Sequence, residues 1–260
     1  MSQADHYRVV AKNYSQSHEN QMHSDAVAQQ HGFQGALVPG VAVFGQLTHP
    51  LVERFGEQWL GHSISNVRLL KPAYDGDQLD ITWREDTDGH HVQCHNAGGE
   101  LLAELTSSMP EQLPEAEPDS TFADASSSSQ RPVIDWDSVQ SGRAFAPWHW
   151  QVTEERNRTH AVQIDDELSI YRNLAHPHLL LSSANTTLTR EFVMPAWLHV
   201  GSELRLRKLV KVTDVLRTQT AILDKWRKKG HEFARSYTTY HRHSELVSDI
   251  YHTFIFRVAQ

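Results

Sequence analysis

What this chain can fold into is constrained most by one long apolar segment and the runs behind it. Across residues 41–55, Val41, Phe44, Leu47, Leu51, Val52 and Phe55 recur at helical spacing. Gly56 is the stop, and Pro50 predicts a kink near His49. Four runs with strand character follow, residues 63–71, 78–83, 90–95 and 100–107. Asp75-Gly76, Asp88-Gly89 and Gly98-Gly99 separate them and read as hairpin turns. One helix followed by an antiparallel meander buries its apolar stripe when the sheet curves around the helix.

The same order returns downstream. Residues 145–154 read as an aromatic strand, 179–192 as a helix, and 203–213, 215–226, 232–241 and 247–258 as long strands. The plainest internal match sets residues 67–81 against 190–206. Each carries a Pro-Ala pair (Pro72-Ala73, Pro195-Ala196), an aromatic residue and a glycine turn. Between the two parts, residues 110–132 are dominated by proline, serine and acidic residues, too polar to fill a core, and read as a surface linker. The expected organisation is therefore 1–109, a linker at 110–132, and 133–260, with each half pairing its sheet edge with the other.

A net charge of −8 speaks against nucleic acid and anionic membranes as partners. Cys94 is the single cysteine, which excludes an internal disulfide and a Cys-based zinc site. The first residues lack the basic-then-apolar order of a secretory signal, and no window approaches eighteen apolar residues. A reducing cytoplasm is the expected location.

Ahead of the first helix lies Asn20-x-x-His23-x-Asp25, where Ser24-Asp25 can cap a short helix over residues 26–31. Gly32-Phe33 follows, then Pro39-Gly40-Val41 at the head of the apolar segment. This pattern resembles the hydratase motif of MaoC-like proteins, the R-specific enoyl-CoA hydratases, which runs Asp-x-Asn-Pro-x-His-x-Asp, then Gly-Phe, then His-Gly-Met. Asn20, His23, Asp25, Gly32, Phe33 and Gly40 match in order, with one residue fewer between the histidine and Gly-Phe. The family's catalytic Asp falls on His18, its Pro on Gln21, and the His before the glycine on Pro39. The resemblance implies an α+β double hotdog, two tandem halves each wrapping a curved antiparallel sheet around a central helix. It also implies acyl-CoA or acyl-carrier thioesters as partners, hydration or dehydration within fatty acid metabolism, and no cofactor or metal. A homodimer or a complex with another hotdog subunit is expected.

Adding water to an enoyl thioester needs a base for the water, an acid for the α-carbon, and donors where charge builds on the carbonyl oxygen. Histidine, with an unperturbed pKa of about 6.5, suits the first two tasks, so His23 is the expected acid–base group. By resemblance the N–H of Gly40, with Val41 beside it at the helix tip, is the oxyanion donor, and Asn20 positions water or His23. Three readings of position 18 stand side by side: His18 replaces the carboxylate, Asp25 takes over as the acid, or the site binds acyl-CoA without hydrating it. A second register, that of β-hydroxyacyl-carrier-protein dehydratases, puts the histidine on His31 and its partner glutamate on Phe44. A thioesterase is a further alternative; the first acid on the helix is Glu53. The second half shows no copy of the polar cluster between 165 and 175, so the site is expected in the first half, with the second shaping an acyl tunnel. The pairs His176/His178 and His241/His243 come without an evident third ligand, so no metal is expected. The basic run at 225–229 reads as a solvated hairpin end or a contact for a CoA phosphate.

Overall fold

The computed structural model describes residues 5–16, 19–126 and 130–259. The first half holds β1 (Asp5–Val10), a 3-10 turn at Gln21–His23, α1 (Asp25–Gln30), α2 (Gly40–Phe55), α3 (Glu57–Gly61), β2 (Ser63–Leu69), β3 (Gln78–Asp86), β4 (Gly89–Asn96) and β5 (Leu101–Ser108). The second holds β6 (Trp148–Gln151), α4 (Glu154–Gln163), α5 (Pro177–Glu191), β7 (Leu198–Leu206), β8 (Val215–Lys228), β9 (His231–Arg242) and β10 (Glu245–Arg257). All ten strands form one sheet in the order β1-β3-β4-β5-β2-β7-β10-β9-β8-β6. The order reads the same from either end once β1–β5 are matched to β6–β10. The seam is β2 against β7, antiparallel from Ser63↔Leu206 to Arg68↔Gly201. Each half thus covers the strand edge that the other would expose.

Phe44, Leu47 and Leu51 of α2 are fully buried in the core. Pro50 lies inside α2 without ending it. The helices α2 and α5 meet at Gly45, where a Cβ would stand 2.7 Å from Ile164 Cδ1 and 2.9 Å from His178 Cβ. The short α1 ends at Gln30, and the chain turns away at Gly32, whose φ of 82° suits glycine. Asp75-Gly76 is not a hairpin turn: β2 pairs with β5 and β7, and β3 with β1 and β4, so this turn crosses from one part of the sheet to another. The acidic segment is tied down at its start. Arg207 and Arg205 donate to the carbonyls of Pro114 and Glu115, and Tyr237 accepts from the N–H of Glu117.

The internal repeat has a different register from the one expected. Leu37 bridges Tyr74 and Leu174 bridges Lys211, a shift of 137 positions in both members (37 to 174, 74 to 211). The same shift relates Val38 N–H to Ala73 O, 2.9 Å, and Ala175 N–H to Val210 O, 2.8 Å. It also relates the two turns in which Asp77 Oδ2 accepts from Tyr74 N–H and Asp214 Oδ2 from Lys211 N–H, each at 2.8 Å. Residues 65–79 therefore match 202–216, with Ser65/Ser202, Leu69/Leu206, Lys71/Lys208, Asp77/Asp214 and Leu79/Leu216 identical. The Pro-Ala pairs at 72 and 195 are not equivalent.

Candidate functional site

The chain between β1 and α2 is folded around Asn20. Its Oδ1 accepts from the N–H of Met22 and of Trp197, each at 3.3 Å. Its Nδ2 donates to the carbonyl of Trp197 at 3.1 Å and faces His23 Nε2 at 3.3 Å. One buried carboxamide thus fastens the first half to the start of β7 in the second. Gln21 N–H adds a 2.8 Å bond to Pro195 O.

The tautomer of His23 follows from its partners. Nδ1 lies 2.7 Å from Leu37 O, and a carbonyl only accepts, so Nδ1 carries a proton. Nε2 faces an amide N–H of Asn20, so in the neutral ring it is the acceptor. Leu37 returns a bond of its own, N–H to Met22 O at 3.0 Å, which fixes the loop that orients the ring.

At the head of α2, Ala42 and Val43 direct their N–H groups back to Pro39 O. The N–H groups of Gly40 and Val41 belong to the part of a first turn that has no partner within its own helix. A Cβ on Gly40 would stand 2.4 Å from Leu69 Cδ1 and 3.2 Å from His199 Nδ1, so only glycine keeps this corner open.

Two cavities of about 320 Å³ each meet here. Asn20, His23, Pro39, Asn185 and Trp197 line both. The first also takes in Gly40 and an apolar wall that includes Phe33, Val43 and Leu69. The second takes in Val41, Trp148, Trp150, Arg156 and His160. Asp25 lines neither; its Oδ1 accepts from Ala36 N–H at 2.8 Å and braces the loop ahead of α2. His18 lies outside the described residues. His31 lines the first cavity, but Phe44, its partner position in the second register, is buried in the core. Among the described residues no carboxylate lines either cavity, and Glu53 lies on an exposed face near the far end of α2.

The second half does carry part of the cluster, against expectation. Shifted by 137, Asn20 falls on Asn157 and His23 on His160, so Asn-x-x-His stands twice. In this copy Asn157 is closed off, although His160 lines the second cavity. Asn157 Nδ2 donates to the carbonyls of Tyr171 and Leu174, and its Oδ1 accepts from His176 N–H. Gly40 becomes Pro177, which has no N–H to offer at the tip of α5. Nor are His176 and His178 ligands in waiting. His176 Nδ1 accepts from His178 N–H, and its Nε2 donates to Asp166. His178 donates from Nδ1 to His160 O, so its Nε2 accepts from Tyr14. Burial pushes the pKa of both rings down, and of His178 well down.

No protein-family profile and no curated protein matches this sequence. Solved structures do. A Chloroflexus aurantiacus MaoC domain protein designated a dehydratase aligns over 100% of this chain and 96% of its own, with a TM-score of 0.67 at 13% identity. A Mycobacterium tuberculosis protein with a double hotdog fold aligns over 98% and 96%, at 0.56 and 15% identity. The chain is a double hotdog. A Lactobacillus plantarum protein designated an oleoyl thioesterase aligns over 100% and 98%, at 0.54 and 10% identity, so this fold neighbourhood includes both dehydratases and thioesterases.

Within this double hotdog, sequence reasoning gave the second half a tunnel wall but missed the polar side chains that it brings to the cavities. Asn185 on α5 and His199 on β7 both line the first cavity, and Asn185 Oδ1 and His199 Nδ1 are shielded from solvent without a hydrogen-bond partner. Polar residues in a helix and a strand that otherwise read as core were the available signal.

Proposed function

We propose that this double hotdog binds an acyl thioester along the two cavities and adds or removes water at the α,β bond. The observation that carries the proposal is the His23 ring, with Nδ1 held by Leu37 O and Nε2 facing Asn20, lining the same cavity as the glycine tip of α2. In the hydration direction, water donates a proton to His23 Nε2 as its oxygen bonds to the β-carbon. Negative charge moves onto the thioester oxygen, where the Gly40 N–H and the positive end of the α2 dipole stabilise it. His23 then returns the proton to the α-carbon, so one imidazole serves as base and acid in turn. The apolar wall of the first cavity suits an acyl chain or the pantetheine arm.

Spectrophotometric assay with crotonyl-CoA and longer enoyl-CoA substrates tests this. His23→Ala is expected to lower kcat by about 100-fold or more, the usual weight of a general acid–base group. Turnover that survives His23→Ala removes the assignment. The lack of a carboxylate at the cavities, among the described residues, favours one second reading: an acyl-CoA-binding protein without turnover. Binding by calorimetry, with no activity on any chain length, selects it. The same lack weighs against a thioesterase built on a helix carboxylate.

A further inference from the structure

His199 projects from β7 into the first cavity, in the half that was not expected to supply chemistry. Its Nε2 lies 2.9 Å from Ser202 Oγ, and Ser202 Oγ lies 2.9 Å from Nδ1 of His252. The outer nitrogens of this chain, His199 Nδ1 and His252 Nε2, are both shielded and have no partner at full hydrogen-bond geometry, although the Gly201 backbone also engages the His199 ring. A serine has one proton, so Ser202 donates to one ring and accepts from the other. Two assignments result. In one, the leftover N–H is on His252 Nε2, on a ring packed against Trp197 and Phe254 that lines neither cavity. In the other, it is on His199 Nδ1, at the cavity. A buried N–H without an acceptor is costly, and only the second assignment lets a bound molecule remove that cost.

We propose that His199 Nδ1–H and Gly40 N–H form a donor pair for the thioester carbonyl oxygen, one group from each half of the chain. The proposal rests on the acyl-thioester reading of the site. His199 Nδ1 lies 3.2 Å from the point that a Cβ on Gly40 would occupy, so the ring edge and the helix tip border one corner of the cavity. The ring polarises without acting as an acid. Burial pushes the His199 pKa down to about 3, against the Gly201 backbone, which acts the other way. Burial, with His199 beside it, holds His252 well below the usual histidine range. A neutral imidazole next to a helix N-terminus is a suitable electrophile for a carbonyl.

The test uses the full chain, labelled with 15N-histidine, and butyryl-CoA carrying a 13C carbonyl, which has no double bond to hydrate. In the complex, the His199 nitrogen spectrum should show a protonated Nδ1, and the carbonyl stretch should fall relative to free butyryl-CoA. His199→Phe should fill the space, retain binding within about tenfold, and lose part of that shift. His199→Asn, which returns an N–H near the Nδ1 position, should restore some of it. Where turnover is measured with enoyl substrates, His199→Phe should lower kcat by about 100-fold, the usual weight of one oxyanion donor. A shift abolished by Gly40→Ala but untouched in His199→Phe overturns this inference alone, as does a bare Nδ1 in the complex. Bound butyryl-CoA with an unshifted carbonyl in the wild type overturns both donors. No binding of butyryl-CoA removes the acyl-thioester reading and the inference with it.

Discussion

Both ends of the Asn20 carboxamide are committed, to two N–H groups at Oδ1 and to the Trp197 carbonyl and His23 at Nδ2. Asn20→Ala strands the Trp197 backbone in a buried place, at about 1–3 kcal/mol for each unpaired group, and lowers the urea midpoint accordingly. Asn20→Asp tests the chemistry instead. A carboxylate beside His23 favours the imidazolium, so the acidic limb of the pH–rate profile should move up by about one unit or more. A profile unmoved in Asn20→Asp would separate Asn20 from the acid–base group. Asn185 gives the opposite signature. Its Oδ1 is shielded and unpartnered, so Asn185→Leu removes an unsatisfied acceptor and should leave thermal stability unchanged or raised. Because Asn185 lines both cavities, thioester affinity or turnover should fall. Loss of stability without loss of function would mark Asn185 as structural.

At the scale of elements, two glycines in α2 separate packing from chemistry. Gly45 faces the Ile164 side chain and His178 Cβ across the α2–α5 contact. Gly45→Ala should destabilise by about 1–3 kcal/mol through overpacking, even though alanine is the better helix former by about 1 kcal/mol. At Gly40 the nearest atom is the mobile end of Leu69. Gly40→Ala should therefore cost little stability while closing the corner that the thioester oxygen needs; calorimetry and urea titration on both variants check the contrast. The helix at 41–55 and the alternating strands were legible in the sequence because apolar period and turn residues act locally. His23, Asn20 and Gly40 were legible because a motif in one short stretch carries them. The true repeat was not, since its six identities are scattered over fifteen positions, while the Pro-Ala pairs match by accident. Nor were Asn185 and His199, which reach the site only when β7 pairs with β2 and α5 packs beside α2. The copy at Asn157 and His160 was hidden by sitting within a full helix, α4, rather than in a loop.

At the scale of the whole molecule, the second half holds a group of imidazoles kept neutral by burial. Burial pushes the pKa of His160, His176, His178, His199 and His252 down, and Asp166 only partly offsets this at His176. Each ring stays unprotonated in the fold at a pH where the unfolded chain takes up a proton. Stability is therefore full above about pH 6.5 and declines as pH falls below it, until each folded-state pKa is reached; for His199 that limit is about 3. A ring whose folded-state pKa lies as low as that of His199 removes about 1 kcal/mol between pH 6.5 and 5.5, and the other four add loss in the same direction. Asp166 acts in a lower window. Burial opposes its ionisation, but hydrogen bonds from His176 and His49 hold its pKa well below the usual carboxylate range. Its stabilisation is present above about pH 4 and is lost only in stronger acid. The urea midpoint should therefore fall steeply from pH 6.5 to 5.5, well before carboxylates titrate, and a flat midpoint over that interval would mean that these rings are charged or exposed in the fold. Replacing His252 with Phe, which packs against Trp197 and Phe254 without a titrating group, should flatten the slope while the other rings continue to titrate.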